Sequence, residues 1–140
     1  MTMQNFDWKY VKNIQGPLHI ENISKATSVS LPRVYVSLVQ KNNGGRPNKK
    51  YFDFGDDTLS VKSFLRVDMS DKFDSVEENY NLINKVNKNL FPFAVDSFGN
   101  YFCFLQKETE KIPRVVFLDM EQEKVYELAE SFEEFMNKLK

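Results

Sequence analysis

The sequence predicts an α+β domain in which helices pack on a mainly antiparallel sheet. Three observations favour this fold. Amphipathic helical spacing occurs near the start of the chain and again at its end, whereas residues 91–129 carry aromatic and β-branched runs separated by short polar turns. With 140 residues, of which 41% are hydrophobic, the chain is long enough to bury one core. We therefore expect a single domain over residues 1–140.

Two helices are predicted in the first third of the chain. Five apolar residues between positions 18 and 29 follow the spacing of an amphipathic helix. A second helix is expected to be capped by Ser30, with Pro32 in its first turn. Its apolar face would contain Val34, Tyr35, Leu38 and Val39. Asn43, Gly44 and Gly45 then end this helix, because Asn and Gly tolerate a positive φ.

The middle of the chain predicts a strand and a helix. The stretch TLSVKSFLRVD, residues 58–68, has the alternation of one half-buried strand. Its buried set would contain Leu59, Val61, Leu65 and Val67. Residues 74–89 then predict a helix of about four turns, because Asp74 and Glu77 form a capping pattern ahead of helically spaced apolar residues.

The last third predicts two hairpins and a helix. The first hairpin, residues 91–106, turns at Gly99 and Asn100, and the second, residues 114–129, turns at the polar residues 121–123. The final helix begins with a capping box formed by Ser131 and Glu134. Its apolar face would contain Phe132, Phe135, Met136 and Leu139.

The loop after the double glycine does not have the pattern of a phosphate or metal site. A Walker loop needs G-x-x-x-x-G-K-[ST], which is absent from the sequence. The D-F-G triplet that begins at Asp53 lacks the other motifs of a protein kinase. Asp56 and Asp57 lack the alternating ligands of a calcium loop. We interpret these aspartates as surface carboxylates and predict no metal and no cofactor.

An enzymatic function is not expected, because the groups that it would need are isolated in sequence. The chain has one His and one Cys, His19 and Cys103, and we interpret both as packing residues. Glu133 and Glu134 are adjacent on a helix and therefore diverge. A single Cys also excludes an internal disulfide. No signal peptide and no apolar run of membrane-spanning length is evident, so we expect a cytoplasmic protein that does not enter the membrane.

The charges are unevenly distributed along the chain. Residues 1–52 hold eight Lys and Arg against two acidic residues, and residues 53–140 hold eleven against eighteen. This division indicates either a charged contact face or ordinary solvated surfaces. A basic loop with neighbouring aromatics, formed by Lys41, Arg46, Lys49, Lys50, Tyr51 and Phe52, would suit nucleic acid. The sequence pI of about 5.9 argues against that partner.

Three motif blocks, in this order, resemble the SUKH superfamily. They are LPRVYVSLVQKNNGG, FPFAVDSFGNYFCF and LAESFEEFMNKL, and the resemblance extends from about residue 17 to the C-terminus. The superfamily includes bacterial immunity proteins and fungal regulators of cell-wall synthesis. Carried over by position, the matching residues include Pro32, Asn43, Gly44, Gly45, Asp96, Gly99 and Phe132. We interpret these as structural residues that form a helix stop, a tight turn and core anchors.

The resemblance implies a non-enzymatic immunity protein that binds and neutralises a cognate secreted toxin, such as a nuclease. The alternative is a regulatory interaction module like the fungal proteins, which usually carry disordered extensions. For the partner contact we favour Asp53, Phe54, Asp56 and Asp57, because carboxylates beside aromatics suit the basic cleft of a nuclease. The glutamates between Glu121 and Glu134 are the other acidic candidates. The competing interpretation is that residues 51–54 form an edge strand with polar neighbours.

Overall fold

The computed structural model describes residues 2–140, which form four helices and nine strands. In chain order these are β1 (Trp8–Lys9), α1 (Ile20–Thr27), α2 (Arg33–Lys41), β2 (Arg46–Pro47), β3 (Tyr51–Phe54), β4 (Asp57–Ser60), β5 (Ser63–Phe64), α3 (Val76–Ile83), β6 (Leu90–Val95), β7 (Tyr101–Leu105), β8 (Arg114–Asp119), β9 (Lys124–Ala129) and α4 (Phe132–Lys138). The four helices pack on mostly antiparallel sheets, which confirms the predicted α+β fold.

The central sheet has five antiparallel strands in the order β5-β6-β7-β8-β9. Its last four strands are the two predicted hairpins, which form because each turn is short and each flank is aromatic or β-branched. Successive side chains point to opposite faces. Phe102 and Phe104 belong to the main core, whereas Tyr101 and Cys103 pack in a smaller cluster with Ile83 of α3.

The main core is built around one buried aromatic ring, that of Tyr35 in α2. Four phenylalanine rings have their centroids within 6.0 Å of it: Phe91, Phe93, Phe104 and Phe132. All four contacts are edge-to-face, the arrangement that aromatic quadrupoles favour. This cluster joins α2 and α4 to the sheet, and it places Phe132, one of the expected core anchors, at the first position of α4.

The start of α2 differs from the prediction. Pro32, not Ser30, is the N-cap residue, and its backbone is extended with φ −61° and ψ 137°. The steric demands of proline keep Leu31 out of the helical region, so Ser30 cannot cap a helix that starts at Leu31. Because Pro32 is itself extended, the first helical residue is Arg33. Val34 is also 37% exposed and lies outside the core, whereas the other three predicted face residues are buried.

The stretch predicted as one strand forms two short strands in different sheets. β4 pairs with β3, and β5 pairs with β6. The chain changes partner at Val61 and Lys62, whose N–H groups donate to the carbonyls of Lys50 and Val95, both at 2.8 Å. Val61, Leu65 and Val67 are buried as predicted, but Leu59 is only partly buried.

The third helix is shorter than predicted and begins one residue later. Its N-cap is Ser75 rather than Asp74, and the Ser75 hydroxyl accepts a hydrogen bond from the Glu78 N–H at 3.1 Å. The helix has eight residues instead of about four turns. The asparagine-rich stretch that follows Ile83 makes local side-chain bonds, such as Asn87 Oδ1 with the Asn89 N–H, and these compete with a helix.

The C-terminal helix matches the prediction closely. The Ser131 hydroxyl accepts a hydrogen bond from the Glu134 N–H at 3.1 Å. The Glu134 carboxylate accepts one from the Glu130 N–H, one residue before the cap. All four predicted face residues are buried. Among the helices within residues 2–140, none is long and apolar enough to span a membrane.

Candidate functional site

The residues favoured for partner contact lie on the β3–β4 hairpin. Phe54 pairs with Asp57, so Gly55 and Asp56 form a two-residue turn. Gly55 has a φ of +60°, a conformation that glycine adopts without strain. Asp53, Asp56 and Asp57 are all exposed. The structure therefore brings the three carboxylates to one end of one solvent-facing hairpin.

The aromatic residues of this hairpin fix it to the protein. Residues 51–54 form strand β3, which pairs with β4 alone among the described strands, as the competing edge-strand interpretation predicted. The ring of Phe52 is buried and stacks on Phe135 of α4 at 5.1 Å between centroids. Phe54 is half-buried and packs edge-on against Tyr126 of β9 at 5.7 Å. Phe54 therefore attaches the hairpin to the sheet, and the aspartates beside it form the solvent-facing part.

Backbone bonds hold the base of the hairpin as well. The N–H and C=O groups of Tyr51 exchange hydrogen bonds with Lys140, both at 3.0 Å. A loop fixed in this way loses little conformational entropy when it binds a partner. The hairpin is thus preorganised by the C-terminal residue and by two ring contacts.

The three aspartates differ in their electrostatic surroundings. The Asp53 carboxylate accepts a hydrogen bond of 2.7 Å from the Lys140 ammonium, and this bond holds the pKa of Asp53 below its usual value. Asp56 and Asp57 have no ion-pair partner within residues 2–140. The uncompensated negative charge is therefore concentrated at the turn.

The N-G-G motif contains a buried asparagine and two glycines with different constraints. Asn43 is fully buried, and its Nδ2 donates to Asp68 Oδ1 at 2.7 Å while its Oδ1 accepts from the Val67 N–H at 2.9 Å. Gly44 has a φ of +64°. Gly45 has no positive φ, but a Cβ at this position would lie 3.1 Å from the Trp8 ring. One glycine is needed for its backbone conformation and the other for close packing.

The motif is joined to a buried ion pair that the sequence analysis missed. Arg66 Nε lies 2.9 Å from Asp68 Oδ1, and their side chains are 9% and 0% exposed. The Gln15 N–H donates to Asp68 Oδ2 at 2.6 Å. Burial alone raises the pKa of Asp68, but the hydrogen bonds from Arg66, Gln15 and Asn43 outweigh it and lower that pKa to about 2. The sequence did carry a signal for this pair, because Arg66 and Asp68 are opposite charges within the largely apolar stretch SFLRVD.

The D-x-x-G-N block is also a structural device. The Asp96 carboxylate accepts hydrogen bonds from the N–H groups of Phe98 and Asn100, both at 2.8 Å, and from Asn100 Nδ2 at 3.0 Å. Gly99 has a φ of +82°. Asp96 therefore closes the β6–β7 turn, and its carboxylate accepts hydrogen bonds from within that turn.

The residues considered for catalysis do not form a site. His19 is buried, and its Nε2 accepts a hydrogen bond from the Glu77 N–H at 3.1 Å. Burial lowers the pKa of His19, so it is held in the neutral form. Cys103 is buried in the smaller cluster, and burial raises its pKa, which makes its thiol a poor nucleophile. No group of three potential metal-binding side chains occurs in the described part of the chain.

Two of the six residues considered for nucleic acid, Lys49 and Phe52, are engaged within the protein. The ammonium of Lys49 binds Gln4 Oε1 and the Asn5 carbonyl, both at 3.0 Å. Phe52 faces the core and offers no stacking surface. The residues of that stretch therefore do not form the aromatic and cationic row that single-stranded nucleic acid requires.

Comparison with protein families identifies the family of this chain. The sequence model of SUKH_6, described as SMI1-KNR4 cell-wall, matches residues 18–136. The chain belongs to the SUKH_6 family. The match extends from just before α1 into α4 and includes the first two motif blocks and the third as far as Met136, so it confirms the predicted SUKH membership. No curated protein and no solved structure matches the chain significantly. Membership supports a role as an immunity protein or as an SMI1/KNR4-like module.

Proposed function

We propose that this SUKH_6 protein is a cytoplasmic immunity protein that binds and neutralises a cognate secreted bacterial toxin. The observation that carries the proposal is the family match over residues 18–136, since proteins of this superfamily are generally non-enzymatic immunity or regulatory modules. The chain acts by occupying the surface of its partner and carries out no chemistry of its own.

The β3–β4 hairpin is the proposed contact surface. The active cleft of a nuclease toxin is basic because it must hold phosphates, and carboxylates on an inhibitor accelerate association with such a surface. Asp56 and Asp57 meet this requirement, because they are exposed and have no ion-pair partner among the residues described. The rigid attachment of the hairpin through Phe52 and Phe54 lowers the entropic cost of binding.

A second candidate function is a regulatory module of cell-wall synthesis. The description of the matching family as SMI1-KNR4 cell-wall favours this alternative. Under this alternative the partner is a component of the cell's own regulatory machinery, and the protein gives no protection against a toxin.

Growth protection tests the proposed function. A candidate toxin, the C-terminal domain of a long secreted protein if one is encoded beside this gene, would be expressed from an inducible promoter in a bacterial host, with and without this chain. We expect growth to be arrested by the toxin alone and restored by co-expression, and we expect the two proteins to copurify. Continued growth arrest despite soluble, folded chain would refute the immunity role and favour the regulatory alternative.

Charge reversal tests the contact surface separately. Asp56→Lys combined with Asp57→Lys should slow association with a nuclease toxin by about tenfold at low salt, and the effect should shrink as salt rises. Glu121→Lys combined with Glu130→Lys is the matched control, because both glutamates are exposed and belong to the other acidic candidate cluster. An unchanged rate for the aspartate pair, or an equal loss for the glutamate pair, would remove the hairpin from the interface.

A further inference from the structure

A second surface feature, a groove, lies between the N-terminal segment and the β5 edge of the sheet. Two adjoining cavities of about 690 and 550 Å³ form it. Both are lined by Tyr10, Arg46, Lys62 and Ser97. The larger extends to Phe73 in the loop before α3, and the smaller extends to Lys9 and Lys50. The groove is therefore assembled from segments that are distant in sequence.

Three aromatic rings stand out from the protein around this groove. Tyr10, Phe73 and Phe98 are 69%, 85% and 86% exposed. Phe98 lies between Ser97 and Gly99, two residues that line the groove. The backbones of Phe73 and Phe98 are fixed, since the Phe73 carbonyl accepts a hydrogen bond from Asn79 Nδ2 and the Phe98 N–H donates to Asp96. Solvent-facing aromatics on a fixed backbone are typical of protein-binding surfaces, where they serve as anchors.

The groove carries uncompensated positive charge. Lys9, Arg46, Lys50 and Lys62 are exposed, and they lack an ion-pair partner in the part of the chain that the structure describes. The guanidinium of Arg46 lies over the Tyr10 ring, 4.8 Å from its centroid.

Two of the three acidic residues that line the groove are already engaged. Asp74 pairs with Lys12 at 3.6 Å, and Asp96 accepts the hydrogen bonds of its own turn. Asp7 is the third acidic residue. Four free cations against one free carboxylate give the groove a net positive charge.

We propose that this groove binds an acidic protein segment that also carries aromatic or aliphatic side chains. Carboxylates of the segment would pair with Lys62, Arg46 and the neighbouring lysines, and its apolar side chains would pack on the exposed rings. A peptide suits the groove better than nucleic acid, because Asp7 and the overall charge of −1 repel a continuous polyanion. The groove is distinct from the β3–β4 hairpin, whose charge is opposite, and the proposal does not depend on the partner being a toxin.

Peptide binding tests the proposal directly. Fluorescence anisotropy would be measured with a labelled peptide of alternating glutamate and phenylalanine. The comparison probes are the same peptide with lysine in place of glutamate and a labelled oligothymidylate. We expect saturable binding of the acidic peptide that weakens with salt, and markedly weaker binding of the two other probes.

Matched single variants locate the binding surface. Lys62→Glu and Phe98→Ser should each lower the affinity for the acidic peptide by about tenfold. Lys111→Glu and Ile112→Ser are the controls, because both residues are exposed in the β7–β8 loop at the other end of β7 from the groove, and they should change affinity by less than about twofold. Absence of acidic-peptide binding, equal loss in the controls, or tighter oligothymidylate binding that Lys62→Glu removes would each overturn the proposal.

Discussion

Replacing Asp68 with asparagine should destabilise the protein strongly, although the two side chains have the same shape. The carboxylate accepts hydrogen bonds from Arg66, Asn43 and the Gln15 N–H, and its side chain is 0% exposed. Asparagine would remove the negative charge beside Arg66 and would direct an N–H group at one of these donors. A buried guanidinium and a buried donor would both lose their partner.

The magnitude follows from the pKa of Asp68. That pKa is about 2 in the folded protein, against about 3.9 in the unfolded chain, and each unit corresponds to about 1.4 kcal/mol. The ionised carboxylate therefore contributes roughly 2 to 3 kcal/mol at neutral pH. Breaking a buried pair from one side costs about 3 to 5 kcal/mol, so we expect a loss of about 3 kcal/mol for Asp68→Asn.

The same pair also sets a pH dependence with a definite sign. Because the folded pKa is lowered, the contribution is complete above about pH 4 and is lost as the pH falls through about 2. The free energies of unfolding of the wild type and Asp68→Asn should therefore differ by a constant amount near neutral pH and converge in strong acid.

Urea unfolding, followed by the fluorescence of the single Trp8, measures both effects. Trp8 packs edge-on against Phe64 at 5.2 Å and reports on the packed N-terminal segment. Asp71→Asn is the control, since Asp71 is exposed. A loss below about 1 kcal/mol, or a loss that is the same at neutral and acid pH, would refute the reasoning about this network.

Three further predictions concern the buried structure. Gly44→Ala should cost about 1 to 2 kcal/mol, because its φ of +64° is unfavourable for alanine; an unchanged melting temperature would contradict this. Tyr35→Phe should leave stability unchanged or raise it by up to about 1 kcal/mol, because the buried hydroxyl has no hydrogen-bond partner in residues 2–140. A clear loss in urea unfolding would indicate a partner for that hydroxyl. The wild type should also lose stability below about pH 6.5, because the unfolded chain gains a proton that buried His19 resists. His19→Gln should reduce this slope, and a slope equal to that of the wild type would assign it to another group.

The local parts of the fold were predictable from the sequence. The two hairpins and the final helix depend on neighbouring residues, such as the Gly99 turn and the Ser131 cap, so their patterns were sufficient. The partition of residues 58–68 between two sheets was not predictable. Its cause is a pair of long-range backbone bonds, from Val61 to Lys50 and from Lys62 to Val95, that periodicity does not encode.

The candidate surfaces were only partly predictable for the same reason. The exposed aspartates of the β3–β4 hairpin are contiguous in sequence and could be named, but the inward packing of Phe54 on Tyr126 depends on a strand far along the chain. Of the groove cations, the sequence identified Arg46 and Lys50 as part of a basic loop, but not the groove itself, because β1 pairs with β2 across almost forty residues and thereby brings Tyr10 beside Arg46. Short strands of this kind leave no periodic pattern.

Hydrogen–deuterium exchange on the complex with the toxin that this chain neutralises in the growth assay tests the central claim most directly. Backbone amides of residues 51–60 should become protected on binding, whereas those of the β7–β8 loop, residues 106–113, should not change. This result would place the acidic hairpin at the interface of a protein inhibitor. Protection confined to another surface, or no complex with a folded chain and an active toxin, would contradict the account.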